Sequence, residues 1–384
     1  MKRNLGPRGE AIMRAVKVLH MADMHLEWPF AGLGVDSHRG RMRREELKEV
    51  FASIVDLALK EEVQLFLIAG DLFEHTHLTR STVRFLEQQF RRMAGIRVFI
   101  SPGNHDPLLP NSYYRTYPWP ENVHIFSNEA GRVDLDELGV SVYGWGFGAW
   151  EVTSWQLGGL RLADPKRLNI VLVHGGDERY HPFRPSDLTA LGADYIALGH
   201  IHKPGVVWEE DGRLIAQYPG SPEALSFGEP GAHGVVVGTI SRQANSLRFV
   251  VTGRREFITR AVDLTGLSTP EEVQQAVLAV DSEERRMTHA YRLQLTGAVD
   301  AGLVIDLPVL LERLAPHFHL LRLQDETQPD YDLAAVARER TARGLFVQRL
   351  LAMEAAASSE QEREQIKRAL ACGLAAFQEG GGER

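Results

Sequence analysis

The sequence places side chains that can bind metal ions or transfer protons directly after short apolar segments. The clearest example is residues 97–106, Arg-Val-Phe-Ile-Ser-Pro-Gly-Asn-His-Asp, in which an apolar run ends at a Pro-Gly pair. An amide, an imidazole and a carboxylate then follow at Asn104, His105 and Asp106. Pro and Gly end a strand sharply, and Gly lets the backbone come close to a ligand. A polar turn would explain this stretch equally well, so recurrence of the pattern decides between the two interpretations.

The same pattern recurs at four other places along the chain. Apolar segments lead to Asp23 and His25, to Asp71, to His174, and to His200 and His202. Residues two apart in an extended chain point to the same side, so each of the two pairs spaced in this way can bind one ion. Any one of these residues alone is more often structural than a ligand. The residues after these five segments would meet at one sheet edge. Placing that many polar groups together would cost free energy without a bound ion, so a metal centre is the simplest explanation.

Alternating helices and strands are predicted to position these residues. Apolar residues recur at helix spacing over 41–60, and a second helix is predicted over 79–94. The nearly continuous apolar run 64–69 is typical of a strand buried on both faces. Asp71 therefore follows the carboxyl end of a central strand, where open α/β sheets bind ligands. Together these elements predict a layered α/β domain.

The composition limits the classes of protein that fit. The chain of 384 residues is 44% hydrophobic and 24% charged, which is ordinary for a globular protein of one to three domains. It has no apolar run of the roughly eighteen residues that mark a transmembrane helix, so no membrane association is predicted. Cys372 is the only cysteine, which excludes an intramolecular disulfide and a thiolate zinc site and fits a reducing cytoplasm. The net charge of −8 argues against nucleic-acid binding by the whole surface but not by a site whose bound cations reverse the sign.

The five strand-end motifs, taken in order, resemble those of the calcineurin-like metallophosphoesterases. They are Asp23-x-His25, Gly70-Asp71, Gly103-Asn104-His105-Asp106, Val173-His174 and Gly199-His200-Ile201-His202. The segments Pro219–Glu223 and Phe227–Glu229, with the long chain beyond them, are similar to the SbcD/YhaO branch, the bacterial relatives of the meiotic-recombination DNA-repair nuclease. The resemblance covers residues 15–260 and implies a four-layer α/β (α+β) fold, two packed mixed sheets flanked by helices.

The resemblance also implies a site for two divalent metal ions, most simply Mn²⁺, with Fe or Zn also compatible with the ligands. Residue by residue, one ion would be bound by Asp23, His25, Asp71 and His202. Asp71 would bridge to the second ion, whose remaining ligands would be Asn104, His174 and His200. His105 would be the catalytic imidazole, and Asp106 beside it is predicted as a second catalytic residue. One position departs from the resemblance: Glu74 stands where several nucleases of the family have a His.

Four segments are predicted along the chain. Residues 1–14 form a loose tail, with Met13 as an alternative start, and residues 15–256 form the catalytic domain. Residues 257–324 form a small α+β capping domain, and 325–384 form a linker and a helix pair. In the related nucleases such a pair binds an ATPase, so an SbcC-like coiled-coil ATPase is the expected partner of residues 331–378. Packing of the pair on its own domain, and a homodimer, remain open alternatives.

The expected function is metal-dependent hydrolysis of phosphodiester bonds in DNA, as an exonuclease in end processing and repair. A metallophosphoesterase acting on small phosphodiesters or phosphoproteins is the alternative. A non-catalytic scaffold is disfavoured, because scaffolds usually lose ligands and here all seven ligand positions and His105 are filled. The Gly- and aromatic-rich segment 144–150 is either a flap that stacks on bases or, the favoured interpretation, an apolar plug at the sheet edge.

Overall fold

The computed structural model describes residues 15–33, 37–162, 164 and 166–379. The predicted tail, residues 1–14, lies outside the described residues. The described chain divides into two compact units, one running to Ile258 and including Thr288–Ala290, the other made of residues 259–287 and those from Tyr291 onward. The predicted domain limits at 256 and 324 remain predictions, because this division gives only one boundary near the first of them.

The described part of the first unit contains two mixed sheets of six strands each. Its strands are β1 Val16–Met21, β2 Leu65–Ile68, β3 Arg97–Ile100, β4 Val123–Ile125, β5 Gly131–Leu135, β6 Val140–Gly144, β7 Leu168–His174, β8 Tyr195–Gly199, β9 Gly205–Glu210, β10 Arg213–Tyr218, β11 Gly234–Ile240 and β12 Asn245–Val251. Its helices are α1 His38–Lys60, α2 Arg80–Arg92, α3 Tyr113–Thr116 and α4 Pro185–Thr189. The strand orders are β12-β11-β1-β2-β3-β4 and β5-β6-β7-β8-β10-β9.

Parallel strands form the part of each sheet that carries the candidate site. β1, β2, β3 and β4 run parallel to one another in the first sheet, as do β6, β7, β8 and β10 in the second. Every residue of β2, β7 and β8 is buried, as expected for strands covered on both faces. Because parallel strands end at the same sheet edge, the residues that follow them are brought close together.

Apolar side chains hold the layers of the first unit together. Residues of both sheets, such as Val18 and Leu172, form a core between them. The outer face of the first sheet packs on α1 and α2 through residues such as Phe51, and the outer face of the second packs on α4 through Leu188. The predicted four-layer fold, two packed mixed sheets flanked by helices, is therefore confirmed.

Capping residues determine where the two long helices of the first unit begin. The Ser37 hydroxyl accepts a hydrogen bond from the Gly40 N–H at 3.0 Å, and the Thr79 hydroxyl accepts one from the Thr82 N–H at 3.2 Å. Such caps satisfy N–H groups that have no partner within the helix. The helices predicted over 41–60 and 79–94 are confirmed, and the first begins three residues earlier than predicted.

The chain beyond the two sheets contains the elements predicted for a small α+β unit. Its strands are β13 Phe257–Asp263, β14 Ala290–Thr296, β15 Ala298–Asp300, β16 Leu320–Asp325 and β17 Gln328–Asp330. Its helices are α5 Pro270–Leu278, α6 Glu283–Thr288, α7 Leu307–Leu314, α8 Leu333–Ala337, α9 Ala342–Ala356 and α10 Glu360–Glu379. β13, β14 and β16 form a three-stranded sheet.

The segment predicted as a linker contains a strand. Gln328–Asp330 pairs in parallel with Ala298–Asp300, and the Gln328 N–H donates to the Gly297 carbonyl at 2.9 Å. Pro329 is compatible with this position because a two-stranded sheet leaves its missing N–H at an edge. Residues 328–330 of the predicted linker are therefore paired as a strand, which their turn-forming composition does not indicate.

The C-terminal helices pack on one another. Val347 of α9 and Leu370 and Leu374 of α10 are buried in one apolar cluster, which also contains Val336 of the short helix α8. The predicted pair of helices is confirmed as α9 and α10, but the prediction missed α8. Part of the apolar surface of both helices is buried within this unit.

The Gly- and aromatic-rich segment is mainly a plug. Trp145 and Phe147 are buried in the outer core of the second sheet, whereas the Trp150 side chain is 44% exposed. The favoured interpretation is confirmed for the first two aromatics. Among the described helices, none combines the length and the apolar character needed to cross a membrane.

Candidate metal centre

The predicted site residues lie together at the ends of strands from both sheets. Asp23 and His25 follow β1, Asp71 follows β2, Asn104 and His105 follow β3, His174 ends β7, and His200 and His202 follow β8. Three overlapping groups of these side chains have ligand atoms within 4.8 Å of one another, namely Asp23, His25 and His202; His25, Asp71 and His105; and Asp71, His174 and His200. The Asn104 Oδ1 lies 2.9 Å from the His174 Nε2, which adds the seventh predicted ligand.

Strained turns direct several of these side chains into the site. Asp23, His25, Asp71 and His200 have φ angles of 55°, 48°, 51° and 104°, in a region that non-glycine residues rarely adopt. Main-chain hydrogen bonds hold two of the turns, from the Asp23 N–H to the Gly70 carbonyl and from the His25 N–H to the Asp71 carbonyl, both at 3.0 Å. Backbone strain of this kind concentrates at functional sites, because the surrounding structure must support it.

Two glycines make the close approach of the ligands possible. A Cβ atom at Gly103 would overlap the Asp71 carboxylate and the ring of His174. Gly70 has a φ of +91°, and a Cβ atom there would also overlap the His174 ring. The strand-end glycines of the sequence motifs therefore leave room for side chains of neighbouring strands.

The first group of ligand atoms is centred on two imidazoles. The Nε2 atoms of His25 and His202 lie 3.1 Å apart, and the His202 Nε2 lies 3.9 Å from an Asp23 carboxylate oxygen. Asp23 is held in place because both of its oxygens accept a hydrogen bond from the His200 N–H, at 3.1 and 3.0 Å. His25 and Asp23 are almost fully buried.

Asp71 lies between the group of Asp23, His25 and His202 and the side chains of His174 and His200. Its Oδ2 is 3.8 Å from the His25 Nε2 and 3.3 Å from the His174 Nε2, while its Oδ1 accepts a hydrogen bond from the His105 N–H at 2.8 Å. One carboxylate oxygen thus faces ligand atoms of both groups. This is the position required of a residue that bridges two ions.

The ligand atoms fit a bound cation because several of them face one another with lone pairs. The His174 Nδ1 lies 2.8 Å from the Ala69 carbonyl, which can only accept, so this nitrogen carries the hydrogen. In the neutral ring the Nε2 then presents a lone pair to the oxygens of Asn104 and Asp71. His25 and His202 face each other in the same way, since their Nδ1 atoms contact carboxylates. Lone pairs that face one another repel when nothing lies between them. A divalent cation between such atoms would be coordinated by them.

The electrostatics of the site also favour cations. Against the effect of burial, Asp71 raises the pKa of His174 to about 9, and Glu229 and Asp23 raise the pKa of His202 to about 9. Asp71 is fully buried, yet His174 and His25 hold its pKa far below the usual range. The carboxylates thus create a field that attracts positive charge, whether it comes from protons or metal ions.

Each predicted histidine ligand has a partner on the ring nitrogen that faces away from the ligand cluster. His25 Nδ1 contacts Glu74 Oε1 at 2.6 Å, His202 Nδ1 contacts Glu229 Oε1 at 3.0 Å and His200 Nε2 contacts Asp177 Oδ2 at 2.7 Å. Metal-binding histidines are oriented in this way, and the partner determines which nitrogen is free for the ion. Sequence reasoning missed all three carboxylates as partners. Glu74 and Asp177 each follow a predicted ligand by three residues, a signal that by itself is common, whereas Glu229 lies 27 residues after His202.

His105 and Asp106 differ in their environments. The His105 side chain is 36% exposed, and its Nδ1 lies 3.0 Å from the Glu74 carboxylate. Against the effect of burial, that hydrogen bond and Asp71 raise the pKa of His105. Asp106 is fully buried and accepts hydrogen bonds from the N–H groups of Gly103, Asp71 and Leu72 and from the Tyr114 hydroxyl. Its oxygens are thus occupied within the chain, which favours support of the loop over contact with a substrate.

The sequence of this chain is similar to that of known phosphoesterases. Residues 16–204 match the family model of the calcineurin-like phosphoesterases. The uncharacterized metallophosphoesterase YhaO of Bacillus subtilis is 32% identical in an alignment 344 residues long that covers 82% of this chain and 83% of that protein. The DNA double-strand break repair protein Mre11 of Saccharolobus solfataricus is 27% identical over 228 residues, 55% of each chain.

A further relative carries the name of a nuclease component. The SbcD component of the nuclease SbcCD of Bacillus subtilis is 25% identical over 262 residues, 56% of this chain and 64% of that protein. The long match to YhaO and the family model, which spans the strand ends described above, agree with the geometry of the site. The chain belongs to the calcineurin-like phosphoesterases, the family of metal-dependent phosphoester hydrolases.

Proposed function

We propose that this phosphoesterase is a DNA nuclease that processes DNA ends with two divalent ions, most simply Mn²⁺. The observation that carries the proposal is the convergence of Asp71 with the six other predicted ligands, with a partly exposed His105 beside them. The names of its Mre11 and SbcCD relatives support DNA as the substrate. Bound cations would also offset the net charge of −8 where the DNA backbone must approach.

In this proposal the ions divide the ligands into two sets that share Asp71. Asp23, His25 and His202 would hold one ion together with Asp71, and Asn104, His174 and His200 would hold the second together with Asp71. When bound, such an ion pair activates a water molecule and neutralises the charge of a phosphoryl group. The mixed set of imidazole, carboxylate and amide ligands is suited to Mn²⁺, Fe²⁺ or Zn²⁺.

His105 is the catalytic residue that this chain itself contributes to the phosphate. Its Nδ1 N–H donates to the Glu74 carboxylate, so it is the imidazolium form, which this carboxylate favours, that can donate a proton from Nε2 to the leaving oxygen. Asp106 is a positioning residue in this proposal. It connects the turn after β3 to the turn after β2 through the N–H groups of Gly103 and Leu72, each at 2.6 Å.

The C-terminal helices are proposed to bind an SbcC-like coiled-coil ATPase. The name of the SbcCD relative supports a complex of this kind, and α9 offers a surface for it. Leu345 and Met353 are 51% and 55% exposed, and Ala352 and Ala356 complete an exposed stripe along the same helix. Exposed apolar side chains along a helix suit an apolar groove of a partner. Leu370 and Leu374 are buried within the unit, so they support the stripe without forming it.

The proposal is tested by hydrolysis of end-labelled duplex and single-stranded DNA with Mn²⁺, with bis-p-nitrophenyl phosphate in parallel. We expect Mn²⁺-dependent loss of nucleotides from DNA ends, and its absence from the His105→Ala protein. Hydrolysis of the small diester alone, with DNA left intact, would instead identify an enzyme for small phosphodiesters. Hydrolysis that survives His105→Ala unchanged would point to a contaminating nuclease.

A further inference from the structure

Trp150 is the exposed aromatic residue of the Gly- and aromatic-rich segment 144–150. It is 44% exposed, whereas the two aromatic residues before it in this segment are buried. The ring of His75 packs against the indole, with 5.6 Å between the ring centroids and 77° between the planes. His75 is itself tied to the catalytic loop, because its N–H donates to the His105 carbonyl at 3.0 Å. A large aromatic ring that is held in this way and is open to solvent can stack on another planar ring.

The chain before Trp150 is bound to the loop that carries the catalytic histidine. The Phe147 N–H donates to the Pro102 carbonyl at 3.0 Å, and the Phe147 carbonyl accepts a hydrogen bond from the Leu108 N–H at 2.7 Å. Both partners belong to the loop after β3, three residues on either side of His105. The main chain therefore holds Trp150 close to the catalytic loop, independently of the contact with the imidazole described above.

The chain after Trp150 is bound to the loop that follows β7. The Val152 N–H donates to the Arg179 carbonyl at 3.1 Å, and the Val152 carbonyl accepts a hydrogen bond from the His181 N–H at 2.6 Å. This loop follows His174, a proposed ligand of the second ion. The segment that carries Trp150 therefore connects two loops of the candidate metal centre, and the exposed indole lies between the two points of attachment.

The charges near Trp150 suit an anionic ligand. Glu151, the next residue, forms an ion pair with Arg179, which offsets its negative charge. Arg115 is exposed, and its Nε donates to the Leu108 carbonyl at 2.9 Å, which places a guanidinium beside the loop after β3. Proteins bind single-stranded nucleic acid with cations that meet the phosphates and aromatic rings that stack on the bases. The combination therefore favours a nucleotide as the ligand of the indole.

We infer that Trp150 is a stacking platform for an unpaired nucleobase next to the phosphate that is cleaved. The inference rests on the proposed function as a DNA nuclease and names the form of DNA that the site accepts. In a duplex a base must be unpaired and unstacked before its face can reach a protein ring, which costs free energy. An open indole beside the catalytic loop thus favours single-stranded or frayed ends over blunt duplex ends. Because every base has a flat face, this preference does not depend on sequence.

The experiment combines substitution of Trp150 with removal of single bases from the DNA. An end-labelled single-stranded oligonucleotide is compared with versions that each carry an abasic site at one position near the end, and kcat and KM are measured with Mn²⁺ on the full chain. On the intact strand, Trp150→Ala should lower kcat/KM by about 5- to 150-fold, the range measured when a stacking side chain is removed. On the strand that lacks the stacked base, the same substitution should change kcat/KM by less than about 2-fold.

Three further variants separate stacking from other effects of the substitution. Trp150→Phe keeps an aromatic face and should stay within about 5-fold of the wild type on the intact strand, whereas Trp150→Leu should resemble Trp150→Ala. Phe249→Ala is the matched control, because Phe249 is an aromatic residue that is 37% exposed on the edge strand β12 and outside the loops of the centre. It should leave kcat/KM on every strand unchanged. The kcat for bis-p-nitrophenyl phosphate should be the same in all these variants, which checks that the metal centre is intact.

A fluorescence readout detects stacking without turnover. The fluorescent base 2-aminopurine replaces the base at the position that the abasic series identifies, and the strand is bound to the Zn²⁺-loaded His105→Ala protein, in which hydrolysis is slow. We expect the fluorescence to be quenched on binding, to remain unquenched when Trp150→Leu is added, and to be quenched in part when Trp150→Phe is added.

The outcomes that would overturn the stacking role differ from the one that would refute the proposed function. An equal loss of kcat/KM from Trp150→Ala on intact and abasic strands would show that the indole only supports the segment. No loss on any strand, or faster cleavage of blunt duplex ends than of single-stranded ends, would also contradict the platform. Hydrolysis of bis-p-nitrophenyl phosphate by a protein that neither binds nor cleaves any DNA would instead refute the nuclease function itself.

Discussion

The metal centre and the C-terminal helices differ in the kind of side chain that each buries or exposes. At the centre, polar side chains are buried, and each histidine ligand has a partner for its second ring nitrogen within the chain. On α9, apolar side chains are exposed, with Leu345 and Met353 more than half accessible. Burying a polar group costs free energy unless the group has a hydrogen-bond partner. Exposing an apolar side chain costs free energy only as long as it stays in contact with water and not with a partner surface.

This difference teaches what each region is suited to bind. The centre has its supporting hydrogen bonds in place, and its ligand atoms face one another across 2.9–3.9 Å, which suits a small cation. The helix surface has a buried core of its own and an apolar stripe outside it, which suits another apolar surface. The metal centre is thus suited to binding ions, and the helix surface is suited to binding a partner protein.

The largest effect is expected when the centre loses its shared ligand. Asp71→Ala should abolish binding of two ions and all measurable turnover, because Asp71 is the only side chain proposed to bridge. Its removal also frees the His105 N–H, which bonds to the Asp71 Oδ1 at 2.8 Å. Metal content by mass spectrometry, measured beside the rate with bis-p-nitrophenyl phosphate, checks this. An Asp71→Ala protein that retains two ions would remove the bridge from the proposal.

His105→Ala is the control for this prediction, since His105 carries catalysis without being a proposed ligand. We expect both ions to remain bound and turnover to fall by about 10²- to 10⁴-fold, the usual contribution of a general acid–base group. Loss of an ion from this variant would place His105 among the ligands. The measurement must address this outcome, because His105 also has a possible ligand atom close to those of His25 and Asp71.

The helices provide the next prediction, which asks whether their buried core is needed for folding. Leu374 is 1% exposed and lies in a cluster with Val347 and Leu370. Leu374→Asp would bury a carboxylate among apolar groups at a cost on the order of 3 kcal/mol or more, so the helices should unfold locally. Circular dichroism and limited proteolysis detect the loss. Hydrolysis of bis-p-nitrophenyl phosphate should persist, because the ligands belong to the other unit; a helical content equal to the wild type would contradict the buried packing.

His20 is a buried histidine outside the metal centre, and it shows how the surroundings determine the pKa of a histidine. His20 is fully buried and bonds to the Tyr195 hydroxyl at 2.8 Å and the Leu198 carbonyl at 3.1 Å, without a carboxylate partner. Burial therefore lowers the pKa of His20 to about 3, whereas carboxylates raise the pKa of His202 to about 9. Two histidines of one domain thus respond in opposite directions because only one has anionic neighbours.

The pKa of His20 determines the sign of a pH effect on stability. The unfolded chain binds a proton near pH 6.5 and the folded chain only near pH 3, so the stability from neutral His20 is complete above pH 6.5 and is lost as the pH falls toward 3. The loss amounts to about 1.4 kcal/mol per pH unit. Denaturant unfolding with a chelator present, compared between wild type and His20→Gln, isolates this contribution. Identical pH slopes in the two proteins would show that His20 does not titrate in this way.

The fold and the positions of the site could be predicted largely because they depend on local patterns. Apolar runs gave the strands, and the residue after each strand gave the ligand candidates. The partners of these ligands could not be predicted, since Glu229 meets His202 across 27 residues and Glu74 meets His25 across 49. The same limit explains the missed pairing at 328–330 and the burial of Leu370 and Leu374, which depend on contacts that spacing does not encode.

The smallest effect on the chain itself is expected on the exposed stripe of α9. Leu345→Asp and Met353→Asp replace side chains that are 51% and 55% exposed, so the free energy of unfolding should change by no more than about 0.5 kcal/mol. If the stripe enters a groove of a coiled-coil ATPase, the same charges would be buried there without partners. Phosphodiester hydrolysis should then be unchanged, while co-purification with the ATPase and ATP-dependent processing of DNA ends are lost. Leu374→Asp serves as the matched variant, because it should lose the partner by unfolding the helices rather than by altering their surface. Retained binding of the ATPase by the stable double variant would show that the partner docks elsewhere, and the exposed stripe would then have no part in assembly.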